Sequence, residues 1–275
     1  MAIGSAFLLL GVFLASICTQ YWQLILTQGL LIGIGDSLLF TPALICVTVA
    51  FQKRRGLALG MTVAGSSVGG IVWPIVLSRL LKEVGFGWTF RIAGFIMMPL
   101  CLISVLCVSM PGQAQKSLDG TPRPAPPKPD LGAILKNRRL LFFMLGGWFL
   151  YIGLFAGLVF IAVYSVSQGL SEQTAFYLVT ITNAASLFGR VIPGALADIW
   201  GPYNLMIFAG ISSGVIMACL TAAKSTAGII IFAIAYGFTS GSVISLLGAC
   251  VAPLLSSPSQ YGPALGIMMA FLSTA

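Results

Sequence analysis

No histidine occurs anywhere in the 275 residues. That removes a Ser-His-Asp triad, an H-E-x-x-H zinc site and any histidine proton relay. Charge is nearly as scarce: Asp, Glu, Lys and Arg make up 7% of the chain, against about 25% in a soluble domain. The six carboxylates are Asp36, Glu83, Asp119, Asp130, Glu172 and Asp198. No two stand at helical i, i+3 or i+4 spacing, so no single element carries a carboxylate dyad for acid–base chemistry. The six cysteines (Cys18, Cys46, Cys101, Cys107, Cys219 and Cys250) show no C-x-x-C spacing and all lie in apolar stretches. They are expected as small buried hydrophobes rather than as disulfides or metal ligands. Nothing resembles a nucleotide-binding loop. The chain is therefore not expected to be an enzyme or an ATP-driven pump, and no cofactor or metal is expected.

What is present is apolar surface, repeatedly. The chain is 58% hydrophobic, with a mean hydropathy of +1.03. A bilayer core of about 30 Å takes about 20 apolar residues in a helix. Backbone polar groups cannot go unpaired in lipid, so such spans must be helical. Nine candidate spans are legible: 2–19, 23–51, 57–81, 90–110, 140–166, 174–197, 204–223, 226–255 and 260–275. Trp22, Trp88, Trp148 and Trp200 fall near span ends, as an interfacial aromatic belt requires. The expected fold class is an all-α polytopic membrane protein.

The one long polar stretch, 111–139, holds Pro111, Pro122, Pro124, Pro126, Pro127 and Pro129 among scattered charges. Such a composition cannot build a packed core and reads as a flexible linker between two helical bundles, 1–110 and 140–275. The formal charge is +8, but the basic residues sit at span ends rather than on one face, so nucleic acid is not an expected partner. With a cytoplasmic start, nine lie inside: Lys53, Arg54, Arg55, Lys116, Arg123, Lys128, Lys136, Arg138 and Arg139. Four lie outside, namely Arg79, Lys82, Arg91 and Lys224. The positive-inside rule then places the linker in the cytoplasm.

An internal repeat adds architecture. Gly56-Leu57-Ala58-Leu59-Gly60-Met61 and Gly262-Pro263-Ala264-Leu265-Gly266-Ile267 open the third and ninth spans at an offset of 206 residues. Gly29 and Gly33 pair with Gly237 and Gly241 at an offset of 208. Each pair is weak alone, but the order and offset agree. The period holds about six spans, which predicts a six-plus-six parallel repeat. In that register the chain is expected to be a twelve-helix design without its first two helices and its end.

Residues 50–65, Ala-Phe-Gln-Lys-Arg-Arg-Gly-Leu-Ala-Leu-Gly-Met-Thr-Val-Ala-Gly, resemble the fifth-helix signature of the monocarboxylate transporter family within the major facilitator superfamily. Ser66-Ser67-Val68-Gly69-Gly70 continues the resemblance, particularly to fungal members. It implies a major facilitator fold, with 1–110 as helices 3–6 and 140–275 as helices 7–11. Physically, Lys53, Arg54 and Arg55 anchor the helix at an anionic leaflet. Gly60, Ala64, Ser67 and Gly70 give a smooth face for close helix packing, and Gly65 belongs to the same motif. Gly194-Ala195-Leu196-Ala197-Asp198-Ile199-Trp200-Gly201 resembles the superfamily's loop motif, in which the Asp ends a helix before a tight turn. Ile199 stands where a basic residue is usual, which leaves Asp198 either a gating contact at a helix end or a plain interfacial carboxylate.

Arg190 lies eight residues before Asp198, about 12 Å into the span at 1.5 Å per residue. A guanidinium at that depth is costly and normally faces a cavity. The resemblance implies a substrate carboxylate on it; the alternative is a structural arginine that snorkels or bonds carbonyls. The family's neighbouring aspartate position holds Ser186, so proton coupling cannot carry over there. Asn183, one turn earlier, joins the candidate binding residues. Asp36 sits mid-span, about 25 Å from Lys53, too short to snorkel. It is either a proton or substrate site, or a neutral polar residue in packing. The expected function is secondary transport of a small organic anion such as a monocarboxylate. The alternatives are efflux of a fungal secondary metabolite and a truncated, non-transporting membrane protein. The expected partners are the bilayer, a small-molecule substrate and a co-transported proton, with an ancillary membrane subunit left unassigned. The plasma membrane is the expected location.

Overall fold

The structure, a computed structural model, describes residues 1–108, 131–255 and 257–275. Most of the expected linker, including Lys116, Asp119, Arg123, Lys128 and Asp130, lies outside the described residues. The described residues are helical, with no strand among them. In chain order they form α1 (Ala2–Ala15), α2 (Tyr21–Leu24), a π-helical stretch (Ile25–Ile32), α3 (Gly33–Ala50), α4 (Arg55–Glu83), α5 (Gly85–Cys107), α6 (Leu131–Lys136), α7 (Arg138–Ser167), α8 (Glu172–Trp200), α9 (Pro202–Ala218), α10 (Thr226–Val251) and α11 (Tyr261–Leu272).

Among the described residues, seven helical segments are long and apolar enough to cross a membrane. They are Tyr21–Ala50, Arg55–Glu83, Gly85–Cys107, Arg138–Ser167, Glu172–Trp200, Pro202–Ala222 and Thr226–Leu254. Two of the nine expected spans come out shorter. α1 has 14 residues and α11 has 12, which reach about 21 and about 18 Å at 1.5 Å per residue. The final part of the expected linker also differs. Leu131–Lys136 is a helical turn and a half, and Ile134 is buried. A buried apolar side chain thus stands in six helical residues that composition alone assigns to a loop.

Local chemistry explains the boundaries. Asn137 caps α7 by accepting from the Arg139 and Leu140 amides, and its Nδ2 donates to Leu254 O at 2.8 Å. Ser171 and Ser225 cap α8 and α10 through the amides of Thr174 and Gly228. α8 ends at Gly201, whose φ of 86° only glycine adopts without strain, and Pro202 then opens α9. This is the tight turn the Asp198 motif predicts. Pro42, Pro74, Pro99 and Pro193 all lie inside helices.

Among the described residues two compact units emerge, 1–50 with 73–108, and 51–72 with 131–255 and 257–275. In the first, α1 packs against the π-helical stretch, α3 and α5. A Cβ on Gly35 would lie 2.6 Å from Leu8 N, and one on Gly94 would lie 2.8 Å from the Phe13 ring, so both glycines permit contacts that no side chain could. Arg91 stacks 5.1 Å over Trp88 and donates from Nε to Ser16 Oγ.

In the second unit α10 is the central helix. Its span is 67% buried, against 11% for Tyr21–Ala50. Gly189, Gly237 and Gly241 bring α8 and α10 into backbone contact, the last against Ser186. Beside them Ile161, Leu178, Ile229, Phe232 and Tyr236 form an apolar core. Tyr236 reaches over Gly157 and donates to Gly153 O and Leu154 O of α7. Of the cysteines, Cys101 and Cys250 are buried as expected, but Cys107 and Cys219 are exposed at helix ends.

Candidate functional site

The chemistry-bearing residues of the second unit gather along one seam, where the first half of α4 runs antiparallel to the second half of α8. Positions 56, 60, 63, 67 and 70 of α4 advance by four, three, four and three, which keeps them on one face. They meet 198, 194, 190, 186 and 183 of α8 in reverse order. Gly56 and Gly194 abut so closely that a Cβ on Gly194 would lie 2.8 Å from Gly56 O. Gly60 lies under the carbonyl of Arg190. At Gly70 a Cβ would stand 2.7 Å from Asn183 Cγ. Asn183 itself donates from Nδ2 to Val179 O on its own helix.

Three polar clasps fasten the seam. At its end, Asp198 accepts from Gly56 N at 2.7 Å and Leu57 N at 3.0 Å. These are two of the orphan amides that open any helix, and a carboxylate there is also favoured by the helix dipole. Asp198 thus bonds the opening amides of α4. The basic run Lys53, Arg54 and Arg55 precedes the capped turn, with Lys53 and Arg54 exposed. In the middle, Arg190 is 7% exposed and donates from Nη1 to Val63 O at 2.7 Å and to Ser66 Oγ. Its Nε is buried without a partner. Further on, the hydroxyls of Ser67 and Ser186 bond at 2.9 Å, both buried.

In this conformation Arg190 bonds a backbone carbonyl, as the structural alternative requires. Reasoning from sequence missed what it bonds. Val63 carries no signal of its own; Ser66 and Ser67 were singled out for resemblance and packing, not for hydrogen bonding. Tyr151 of α7 lies close enough to Arg190 to interact with it electrostatically; nothing in its sequence context marks it. Gly65 is on the other side of α4, and a Cβ there would meet nothing within 4 Å. Asp36 belongs to the first unit. It is exposed on α3, with no hydrogen-bond partner among the described residues.

The model of the Major Facilitator Superfamily matches residues 1–275. An agnestins efflux protein of Paecilomyces divaricatus is 42% identical over 272 residues, covering 99% of this chain and 61% of the relative. An MFS-type transporter of Aspergillus fumigatus is 39% identical over 286 residues, covering 98% of this chain and 65% of the relative. An aspyridones efflux protein of Emericella nidulans is 36% identical over 268 residues, at 96% and 53% coverage. The chain thus spans about three fifths of the length of the curated relatives it matches. Helices of membrane-spanning length and a match along the entire chain agree: this is a multi-pass membrane protein, and it belongs to the Major Facilitator Superfamily, a family of transporters.

Proposed function

We propose that the protein is a secondary transporter that exports an organic metabolite by alternating access, gripping an acidic group of its cargo with Arg190. The observation that carries this reading is a buried guanidinium whose hydrogen bonds go to neutral groups of α4. A cation with neutral partners keeps its attraction for an anion, and the unpaired Nε–H keeps one donor of the fork free. A carboxylate entering the seam takes the fork in bidentate form and displaces Val63 O and Ser66. The α4–α8 seam, clasped by Asp198 at its end and by Ser67 and Ser186 further in, is the element that closes and opens. Asn183 borders the same path. Lys53, Arg54, Arg55, Gly60, Gly194 and Gly201 serve the gate rather than the cargo.

Export is favoured over uptake by the relatives, two of which are named as efflux proteins for fungal products. Uptake of a small monocarboxylate is the second reading, favoured by the signature at 50–65. The bilayer concerned is the plasma membrane, and Asp36 carries the coupling proton. The six-plus-six organisation, with bundles at 1–110 and 140–275 joined by a cytoplasmic linker at 111–139, belongs to the same proposal.

Deletion of the gene in its own organism, followed by untargeted comparison of medium and cell extract, tests the reading. At least one acidic metabolite should rise in the cells and fall in the medium. The native gene should reverse both changes, and an Arg190→Ala version of equal membrane abundance should not. An unchanged profile, or a metabolite left behind in the medium, overturns export.

A further inference from the structure

We propose that the second unit holds an acyl chain of an anionic phospholipid in a lateral cavity at the Trp200 end of α8. The cavity measures about 260 Å³ and lies between the last turns of α8, the first half of α9 and the middle of α10. Ile192, Leu196, Phe208 and Phe238 form its walls. Ile192, Trp200 and Phe208 are 46%, 62% and 69% exposed, so the opening faces outward from the unit. For a chain of membrane-spanning helices, outward at this depth means lipid.

Four polar residues also line the cavity; their hydroxyls are all used as donors, and only the Asn204 amide, at the Trp200 end, keeps a second N–H. Asn204 Nδ2 donates to Trp200 O, and Ser212 Oγ to Ala209 O. Thr239 Oγ1 donates to Ala235 O and Ser242 Oγ to Phe238 O. With its hydroxyls turned back onto their own helices, the wall behaves as hydrocarbon. Water gains nothing there, since a buried water needs two to four polar partners. An empty space of this size is costly, because its lining forfeits dispersion contacts. A neighbouring lipid tail can restore them without leaving an apolar medium. A sterol or an acidic metabolite brings a polar group that would have to leave water for a wall with few donors to spare.

Charge selects the headgroup. Lys53, Arg54 and Arg55 precede the turn of α4 that is fastened to Asp198, two residues from Trp200. Arg138 and Arg139 open α7, whose Phe143 packs 6.5 Å from Tyr203, the neighbour of Asn204. Five cations thus flank the cavity's end of the unit, and Asp198 is occupied by backbone amides. The Trp200 indole N–H, without a partner among the described residues, is available to a lipid ester or phosphate at the interface.

The test uses the full chain in phosphatidylcholine vesicles containing a minor share of phosphatidylserine with a photoactivatable group in mid-chain. After irradiation, label should concentrate on 192–212 and 238–242, roughly tenfold over the exposed apolar face of α5 at Leu102 and Leu106. Ala209→Phe, which fills the cavity, should remove that excess. Ser212→Phe, at a half-buried position, should do the same if the first variant fails to fold. Arg138→Gln with Arg139→Gln should lower phosphatidylserine labelling while leaving a phosphatidylcholine probe unchanged. Labelling no higher than on α5, or indifferent to filling, overturns the site. Equal capture of the phosphatidylcholine probe by the native chain overturns the headgroup assignment, and preferential capture of a sterol probe overturns the acyl chain.

Discussion

Arg190 is held inside the second unit by a carbonyl and a hydroxyl, and that arrangement separates folding from transport. A buried charge with neutral partners stabilises a fold poorly, because its desolvation is large and its return small. Val63 O loses only an additional partner when the arginine goes, since a helix carbonyl is already bonded within its own helix. Arg190→Met should therefore leave thermal stability in detergent unchanged or slightly raised while abolishing transport. Arg190→Lys should fail as well, because an ammonium cannot reproduce the two parallel bonds of the fork. A stability loss of several degrees with transport retained would make the residue purely structural. Asp198 makes the opposite case. It closes two helix-opening amides, and its removal as Asp198→Ala should cost about 0.5–2 kcal/mol. Because those amides sit on α4, the loss should appear as greater labelling of a cysteine placed at Leu57, with a smaller change in the melting temperature. Unchanged labelling would mean that Asp198 does not hold the seam.

Elements show how far the apolar runs could be read and where reading stopped. Runs of 21 to 30 residues were legible because lipid forces both length and helix, and the seven long helices follow them closely. The turn at Gly201–Pro202 was equally open to inspection through the Asp198 motif, whereas the caps at Ser171 and Ser225 were not singled out. Ile134 and α6 were not, since burial of one side chain in a polar stretch depends on how that stretch packs against α7, which composition does not show. Nor was the π-helical stretch Ile25–Ile32, whose altered hydrogen bonding leaves no compositional trace. The small-residue face of α4 announced close packing but not its partner, because glycine spacing fixes a face and not the helix that meets it. Gly60 and Gly65 sharpen the point: they stand five apart in one motif and on different sides of the helix. Gly60→Ala would drive a Cβ into the Arg190 carbonyl, at an overpacking cost of about 1–3 kcal/mol and with loss of transport. Gly65→Ala enters open space and should be neutral or mildly favourable through helix propensity. Thermal stability and uptake into inside-out vesicles measure both, and equal behaviour of the two variants would deny the seam.

For the whole molecule, the repeat is visible in its helix onsets and uneven in its contacts. α4 and α11 begin at Arg55 and Tyr261, 206 residues apart, as the duplicated motif predicts. Gly237 and Gly241 are pressed against α8, whereas the matching Gly29 and Gly33 have almost nothing near them. Equivalent glycines thus serve contact in one half and leave an open surface in the other. Asp36 stands one turn beyond Gly33 on that open surface, exposed and unpaired among the described residues. A carboxyl at bilayer depth with no cation beside it is a group that can take up and release a proton as the opening around it changes. If it couples flux to a pH gradient, Asp36→Asn should separate two activities that the native protein combines. Exchange of labelled for unlabelled cargo should persist, because a permanently neutral amide resembles the protonated acid. Concentrative transport driven by a pH gradient should disappear, because the amide has no proton to release. Both are measurable in vesicles carrying the complete transporter, with the gradient imposed and then collapsed by an ionophore. A variant that still concentrates cargo in response to the gradient would remove Asp36 from the coupling mechanism. Ser186 lacks a titratable group and is bonded to Ser67, so coupling would then have to reside in another carboxylate or be absent, leaving a uniporter.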